Sequence, residues 1–375
     1  MIYLDNAATS YPKPAAVVRA ACGVMERMGA NPGRSGHRMS LAGGRIVANC
    51  RDKLAELMGV DRPEQVIFCF NCTDALNLAI RGVVKPGMHV IATALDHNAS
   101  LRPLAGLEQQ GVIRLTVLNP AGAGVVTAEQ VQQAFCPDTG LVVCAQGSNV
   151  TGAVQPVAEI GEVCRRHKAL FLVDVAQTIG ILPVQPSCMQ ADMVAFPGHK
   201  ALYGPTGTGA LWIREGLTLA PYREGGTGSR SESVIQPEEL PDRYESGTLN
   251  LSGIAGLLQG VRFVLAHRAE IAEHERDLAR YLMEGLRQIP GVTLYTPRNP
   301  QTGVVSFNLR GMRSGEVADL LNRRGIGVRA GLHCAPLAHR YLGTIESGAV
   351  RVSPGLFNVR SDLDRLLSVV SRCGN

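Results

Sequence analysis

The sequence predicts a doubly wound α/β fold with a mostly parallel sheet and a second, smaller α/β unit. Three observations carry this. Seven short apolar runs between residues 66 and 213 alternate with helical patterns. The runs are apolar throughout rather than at every second position, which suits strands buried on both faces and hence mostly parallel pairing. A long polar stretch then separates this region from a shorter series of strands and helices.

The strand candidates are VIFCF (66–70), HVIAT (89–93), IRLTVL (113–118), LVVCA (141–145), LFLVDV (170–175), MVAF (193–196) and GALWI (209–213). Helical spacing falls between them at 73–83, 100–110, 128–135 and 157–167. Strand and helix in alternation is the pattern of crossover units. Residues 216–247 are rich in Gly, Ser, Pro and charge and read as a loop. A loop of that length is usually functional or disordered. A long helical pattern at 253–288 stops at Pro290-Gly291. Beyond it GVVSFNL, a helix at 315–324, GVRAG, AVRVS and a helix at 361–371 make the smaller unit. The expected division is a large domain at 13–250 and a small one at 251–375, joined by the N-terminal segment 1–12.

The chain of 375 residues is long enough for two cores, and its 45% hydrophobic content is that of a globular protein. The formal charge of +5 is mild, and no basic stripe with interleaved aromatics is present, so nucleic acid is not an expected partner. No apolar run nears the ~20 residues a membrane span needs. The start, MIYLDNAATSYPKP, lacks a basic region followed by an apolar one, so no signal peptide is expected. The ten scattered cysteines read as reduced thiols of a cytoplasmic protein.

Several residues could carry chemistry, each with a plainer alternative. Lys200 follows an apolar strand within AFPGHKALYGPTGTG. It is either a solvated charge or an amine placed to form a Schiff base. Asp174 ends a very apolar strand, where ligands of open α/β sheets bind. It is either a turn cap or the counterion of a protonated pyridine ring, one of the protein's handles on pyridoxal phosphate (PLP). Asn71, Cys72 and Thr73 lie where a strand enters a helix, a place that collects free amides for a phosphate. Plain capping by Thr73 is the commoner explanation. Cys69 and Cys72 form a lone C-x-x-C with no second pair, which disfavours zinc. His97 lies just past a strand end, Arg351 inside an apolar strand, and Cys334 between His333 and Ala335-Pro336. Arg351 is either a structural ion pair or a grip on a carboxylate. Cys334 is either filler or a nucleophile. His267 and His274 lie seven apart on a charged helix and are expected to face solvent. No G-x-S-x-G, H-E-x-x-H, Walker or G-x-G-x-x-G pattern competes.

Taken together and in this order, these stretches resemble the class V aminotransferases, and within them the cysteine desulfurases and selenocysteine lyases. The resemblance spans nearly the whole chain and rests on LDNAATS, SNVTGAVQPV, VDVAQTIG, GHKALYGPTGTGAL, ESGTLN and RAGLHCAP. It implies the fold of the PLP-dependent, aspartate aminotransferase-like transferases, and a homodimer. It further implies that Lys200 binds PLP covalently and moves protons. Asp174 would partner the ring nitrogen, Gln177 the ring hydroxyl, and His97 would stack on the ring. Thr73, Cys72, His199 and Thr248 would surround the phosphate, Thr248 reaching over from a second subunit. Asn149 would lie near the substrate and ring oxygen, and Arg351 with Arg329 would bind the amino-acid carboxylate. Departures from the family pattern fall at Pro197, at Asn71-Cys72 and at Leu332.

The implied reaction takes sulfur from L-cysteine, leaving L-alanine and a persulfide on Cys334 for an acceptor protein. Only a few per cent of a free thiol is ionised at neutral pH. His333 and Arg329 are expected to raise that fraction by favouring the anion. The alternatives are a selenocysteine lyase, or a class V aminotransferase or epimerase, in which Cys334 is dispensable. A non-enzymatic sulfur carrier is a further alternative, disfavoured by the presence of both Lys200 and Asp174.

Overall fold

The computed structural model describes residues 1–32, 35–121 and 124–373. The first part of the chain runs β1 (Ile2–Tyr3), α1 (Ala15–Arg27), α2 (Arg38–Met58), β2 (Val66–Cys69), α3 (Cys72–Val83), β3 (Met88–Thr93) and α4 (Asn98–Gln109). It continues with β4 (Ile113–Leu118), α5 (Ala128–Ala134), β5 (Thr139–Ala145), α6 (Val157–His167), β6 (Leu170–Asp174), β7 (Met193–Pro197) and β8 (Gly209–Ile213). Strands β2 to β8 form one seven-stranded sheet in the order β2-β8-β7-β6-β5-β3-β4. Only β8 runs against its neighbours, β2 and β7. The carboxyl ends of β2, β3, β5, β6 and β7 therefore emerge along one edge.

The apolar runs are apolar throughout because alternate residues enter different cores. In β6, Phe171 and Val173 join one core and Leu172 the other; in β7, Val194 and Phe196 oppose Met193 and Ala195. The first core is closed by α2, α6 and the start of the long helix described next, the second by α3 and α4. Edge strand β4 departs from the expected two-faced burial: only Ile113 of its six residues is fully buried. Residues 216–247 carry neither helix nor strand.

The remainder runs α7 (Leu251–Arg287), β9 (Val292–Leu294), β10 (Val305–Leu309), α8 (Ser314–Arg323), β11 (Ile326–Gly327), β12 (Arg329–Gly331), α9 (Pro336–Tyr341), β13 (Ala349–Val352) and α10 (Arg360–Ser371). Its antiparallel sheet has the order β12-β13-β10-β9. The single strand expected from GVRAG divides at Val328: β11 pairs with β1, and β12 with β13. Helix α7 serves both halves. Its residues up to Ile271 pack into a core of the large sheet, and those from Leu278 onward pack with the small sheet. His274, between them, does not face solvent as expected: its Nε2 lies 2.9 Å from the carbonyl of Asn358. The N-terminal segment packs on the small unit, where Asp5 bridges to Ser353 beyond β13.

Candidate active site

Among the sequence-predicted site residues, Lys200, Asp174, Gln177, His97, Thr73, Cys72, His199, Asn149, Arg329, Arg351 and Cys334 all line one cavity at the carboxyl edge of the large sheet. Thr248 does not. It is exposed and lines a neighbouring hollow with Phe70 and Arg223.

Asp174 ends β6 and is 5% exposed. Its Oδ1 accepts the Ala176 amide at 2.8 Å and the Cys72 thiol at 3.5 Å. Its Oδ2 has no partner among the described residues. Burial raises the carboxyl's pKa, opposed by the Ala176 amide and the charge of Lys200. Lys200 lies just past β7, and burial lowers its pKa against the pull of Asp174. That shift favours the neutral amine a covalent bond requires.

The backbone of the lysine turn is held by the N-terminal segment. Ser10 Oγ donates to the Lys200 carbonyl at 2.8 Å. The His199 carbonyl accepts from Lys13 Nζ at 2.7 Å and from Thr9 Oγ1 at 3.0 Å. Burial lowers Lys13 to about 8. Sequence reasoning gave these residues no role; the only signal was that LDNAATSYPKP is polar yet expected to pack.

The cap of α3 is Asn71, not Thr73: Asn71 Oδ1 accepts the Asp74 amide at 2.9 Å. The hydroxyl of Thr73 and the amides of Cys72 and Thr73 are left without partners among the described residues, at the positive end of a helix. His199 adds a buried, unpartnered Nδ1. The Cys69 and Cys72 thiols are not bridged, and no group of three or more side chains suited to a metal occurs among the described residues.

His97 caps α4 through Nδ1, which accepts the Ala99 amide at 3.0 Å. The ring proton of the neutral form therefore sits on Nε2. Burial, then the charge of Lys200, lowers its pKa to about 4.

Arg351 is 2% exposed. One terminal nitrogen donates to Asp5 Oδ1 at 2.7 Å and the other to the Asn149 carbonyl at 3.1 Å, while Nε is buried without a partner. Both readings of this residue thus have support, a structural ion pair and unused donors. Asp5 was not anticipated from the sequence.

Cys334 is exposed at the rim of the cavity, in a turn with two successive left-handed residues, His333 at φ 50° and Cys334 at φ 57°. Three contacts hold this costly backbone. The Asn98 amide donates to the Cys334 carbonyl at 2.7 Å, and Asn149 Nδ2 donates to the His333 carbonyl at 2.7 Å. The His333 ring meets His339 at 3.2 Å, and His339 meets Thr344 at 2.8 Å. The expectation that His333 favours the thiolate needs correction. Burial, then the charge of Arg351, lowers His333 to about 3, so it is neutral at neutral pH and brings no positive charge to Cys334.

A turn-borne lysine, a buried carboxylate and a helix end with free amides, gathered at the carboxyl edge of a mostly parallel sheet, define a PLP-type site. The family model described as Aminotransferase class-V matches residues 2–366, and the chain belongs to that family. It is similar to a probable cysteine desulfurase of Aeropyrum pernix, 35% identical over 98% of this chain and 92% of that protein. It is also similar to one from Mycolicibacterium paratuberculosis, 34% identical over 99% of this chain, and it spans only 55% of that protein's length. The apo structure of a cysteine desulfurase from Thermococcus onnurineus NA1 superposes with a TM-score of 0.93 at 32% identity, over 99% of this chain and 94% of that one. The fold is thus the PLP-dependent transferase fold that the resemblance implies.

The cofactor of this family is pyridoxal 5'-phosphate. The cavity fits it: Asp174, a buried residue lining the cavity, offers an oxygen with no partner among the described residues for a charged ring nitrogen, and α3 offers free amides and a hydroxyl for a phosphate.

Proposed function

We propose that this protein is a PLP-dependent cysteine desulfurase that passes sulfur from L-cysteine to Cys334. One observation carries the reading: Lys200, Asp174, the Arg329–Arg351 pair and an exposed cysteine line one cavity. The cofactor, when bound, withdraws electrons from the substrate's α-carbon.

The residues divide the remaining work. Asp174 would hold the charged ring nitrogen, and His97 would offer a neutral imidazole to the ring. Thr73, His199 and the amides at the start of α3 would hold the phosphate. Arg351 and Arg329 hold the substrate carboxylate, with Asn149 beside it. Lys200, its basicity lowered by burial, takes the α-proton and returns a proton to carbon. Cys334, as thiolate, attacks the substrate sulfur. The carbon–sulfur bond breaks, its electron pair stays with carbon, and a proton completes alanine. Cysteine and the enzyme thiol thus become alanine and an enzyme persulfide, with no external oxidant.

The chain is read as a homodimer, because Thr248 lies outside the cavity of its own chain and is exposed, as a group serving a neighbouring copy would be. The exposure of Cys334 suits transfer of the persulfide to an acceptor protein. The ten free thiols support the cytoplasmic reading.

The test is alanine release from cysteine and from selenocysteine by wild type, Lys200→Ala and Cys334→Ser. The reading expects Lys200→Ala inactive on both and Cys334→Ser inactive on cysteine with cofactor retained. Full activity of Cys334→Ser on cysteine would overturn it. Activity on selenocysteine alone in the wild type would favour a selenocysteine lyase.

A further inference from the structure

We propose that the Cys72 thiol is a positioning donor for Asp174, holding one carboxylate oxygen so that the other stays free for the ring nitrogen of the cofactor. The inference rests on the PLP reading above and adds a residue that tunes the ring's counterion.

Two donors converge on the same oxygen of Asp174. The Ala176 amide, 2.8 Å away, fixes it from its own turn, and the Cys72 thiol, 3.5 Å away, fixes it from another element. The second contact crosses the sheet, since β2, which leads to Cys72, is separated from β6 by β8 and β7. The residue therefore does two things. Its backbone amide belongs to the free helix end suited to a phosphate, and its side chain ties that helix end to the carboxylate suited to the ring. One side chain thus links the two halves of the cofactor site directly.

A thiol at a helix start is ordinarily pushed toward the thiolate. Here burial, and then the negative charge of Asp174, push the Cys72 pKa well above the usual thiol range. It stays an S–H group, able to donate and poor as a nucleophile. This separates it from Cys334, which is exposed in the same cavity. It also explains the C-x-x-C spacing without redox chemistry. The Cys69 thiol points to its own strand, 3.7 Å from the Ile67 carbonyl, and only Cys72 turns toward the site.

The experiment compares the dissociation constant of PLP for wild type, Cys72→Ala and Cys72→Ser, each with and without Asp174→Ala. Losing one hydrogen bond to a charged group is expected to weaken binding about fivefold in Cys72→Ala. Cys72→Ser, which keeps a donor, is expected to stay within about twofold of wild type, and Cys72→Ala to have no effect once Asp174 is gone. Equal behaviour of the Ala and Ser variants, or an undiminished effect without Asp174, would overturn the proposal. A second readout uses protein without added cofactor: the infrared S–H stretch isolated by subtracting the Cys72→Ser spectrum. It is expected to shift in Asp174→Ala; an unmoved band contradicts the proposal. Failure of the wild type to bind PLP would instead sink the functional reading, and the infrared band would still test the Cys72–Asp174 bond.

Discussion

Arg329 and Arg351 face each other directly across the antiparallel strands β12 and β13. Like charges in that position repel. Asp5 neutralises one of them, at 2.7 Å from Arg351, and the other remains for an anion. The pair is expected to behave asymmetrically. Arg329→Ala should raise KM for cysteine by about tenfold or more, the loss of a charged hydrogen bond, with melting temperature unchanged or slightly higher. Arg351→Ala should also lose about 3 kcal/mol of stability, because it leaves Asp5 without its partner. Steady-state kinetics and denaturant titration of the two variants check this. Equal stability losses would contradict it.

The turn that carries Cys334 is held partly by the buried chain His333–His339–Thr344. His339 is completely buried. His339→Phe should therefore loosen the turn, lowering the rate of alanine formation by about tenfold while the cofactor stays bound, since the left-handed His333 beside Cys334 loses the support of its ring. Absorbance of the bound cofactor alongside single-turnover kinetics separates these effects. Loss of the cofactor together with the rate would mean that His339 serves the fold rather than the turn.

Glu275 lies on α7 between the residues that enter the large core and those that enter the small one, and it has no hydrogen-bond or ion-pair partner among the described residues. Burial alone raises its pKa to about 8. The folded chain thus holds this proton more tightly than the unfolded chain, where an ordinary glutamate titrates near 4.3. Its contribution to stability is full below the unfolded value and is lost as pH rises toward 8. Glu275→Gln is expected to stabilise the protein at pH 9 by up to about 5 kcal/mol relative to wild type, and by much less at pH 5. Thermal melts across this range test the sign. A variant less stable than wild type at pH 9 would show that the carboxylate has a use.

The N-terminal clamp on the lysine turn gives a further expectation. Ser10→Ala removes the hydroxyl that donates to the Lys200 carbonyl. About 1 kcal/mol of positioning is at stake, so cofactor affinity should fall about fivefold while the secondary structure is unchanged. Equilibrium binding of PLP with circular dichroism measures both. An affinity equal to wild type would show that the turn holds itself.

Much of this was legible in the sequence, for physical reasons that name its boundary. The seven strands were readable because a strand buried on both faces must be apolar at every position, as Phe171, Leu172 and Val173 are. Lys200 and Asp174 could be singled out because a charge next to such a run needs a reason. Long-range contacts were not readable. Nothing in LDNAATS says that Asp5 will meet Arg351, 346 positions away. The charge state of His333 is not readable for the same cause, since it depends first on burial and then on the charge of Arg351, both set by the fold. Capping was decided by one residue: Asn71 took the Asp74 amide, which freed Thr73. Helices α1 and α2 are not read from the sequence; both pack against α7, a partner that sequence position does not reveal.

The most direct test of the central claim is mass spectrometry of the protein after brief exposure to L-cysteine in the presence of PLP, with the thiols then trapped and the chain digested. The account predicts one added sulfur atom on the peptide containing Cys334, absent from Lys200→Ala. Alanine formed with no sulfur on that peptide, or sulfur spread evenly over the ten cysteines, would contradict it.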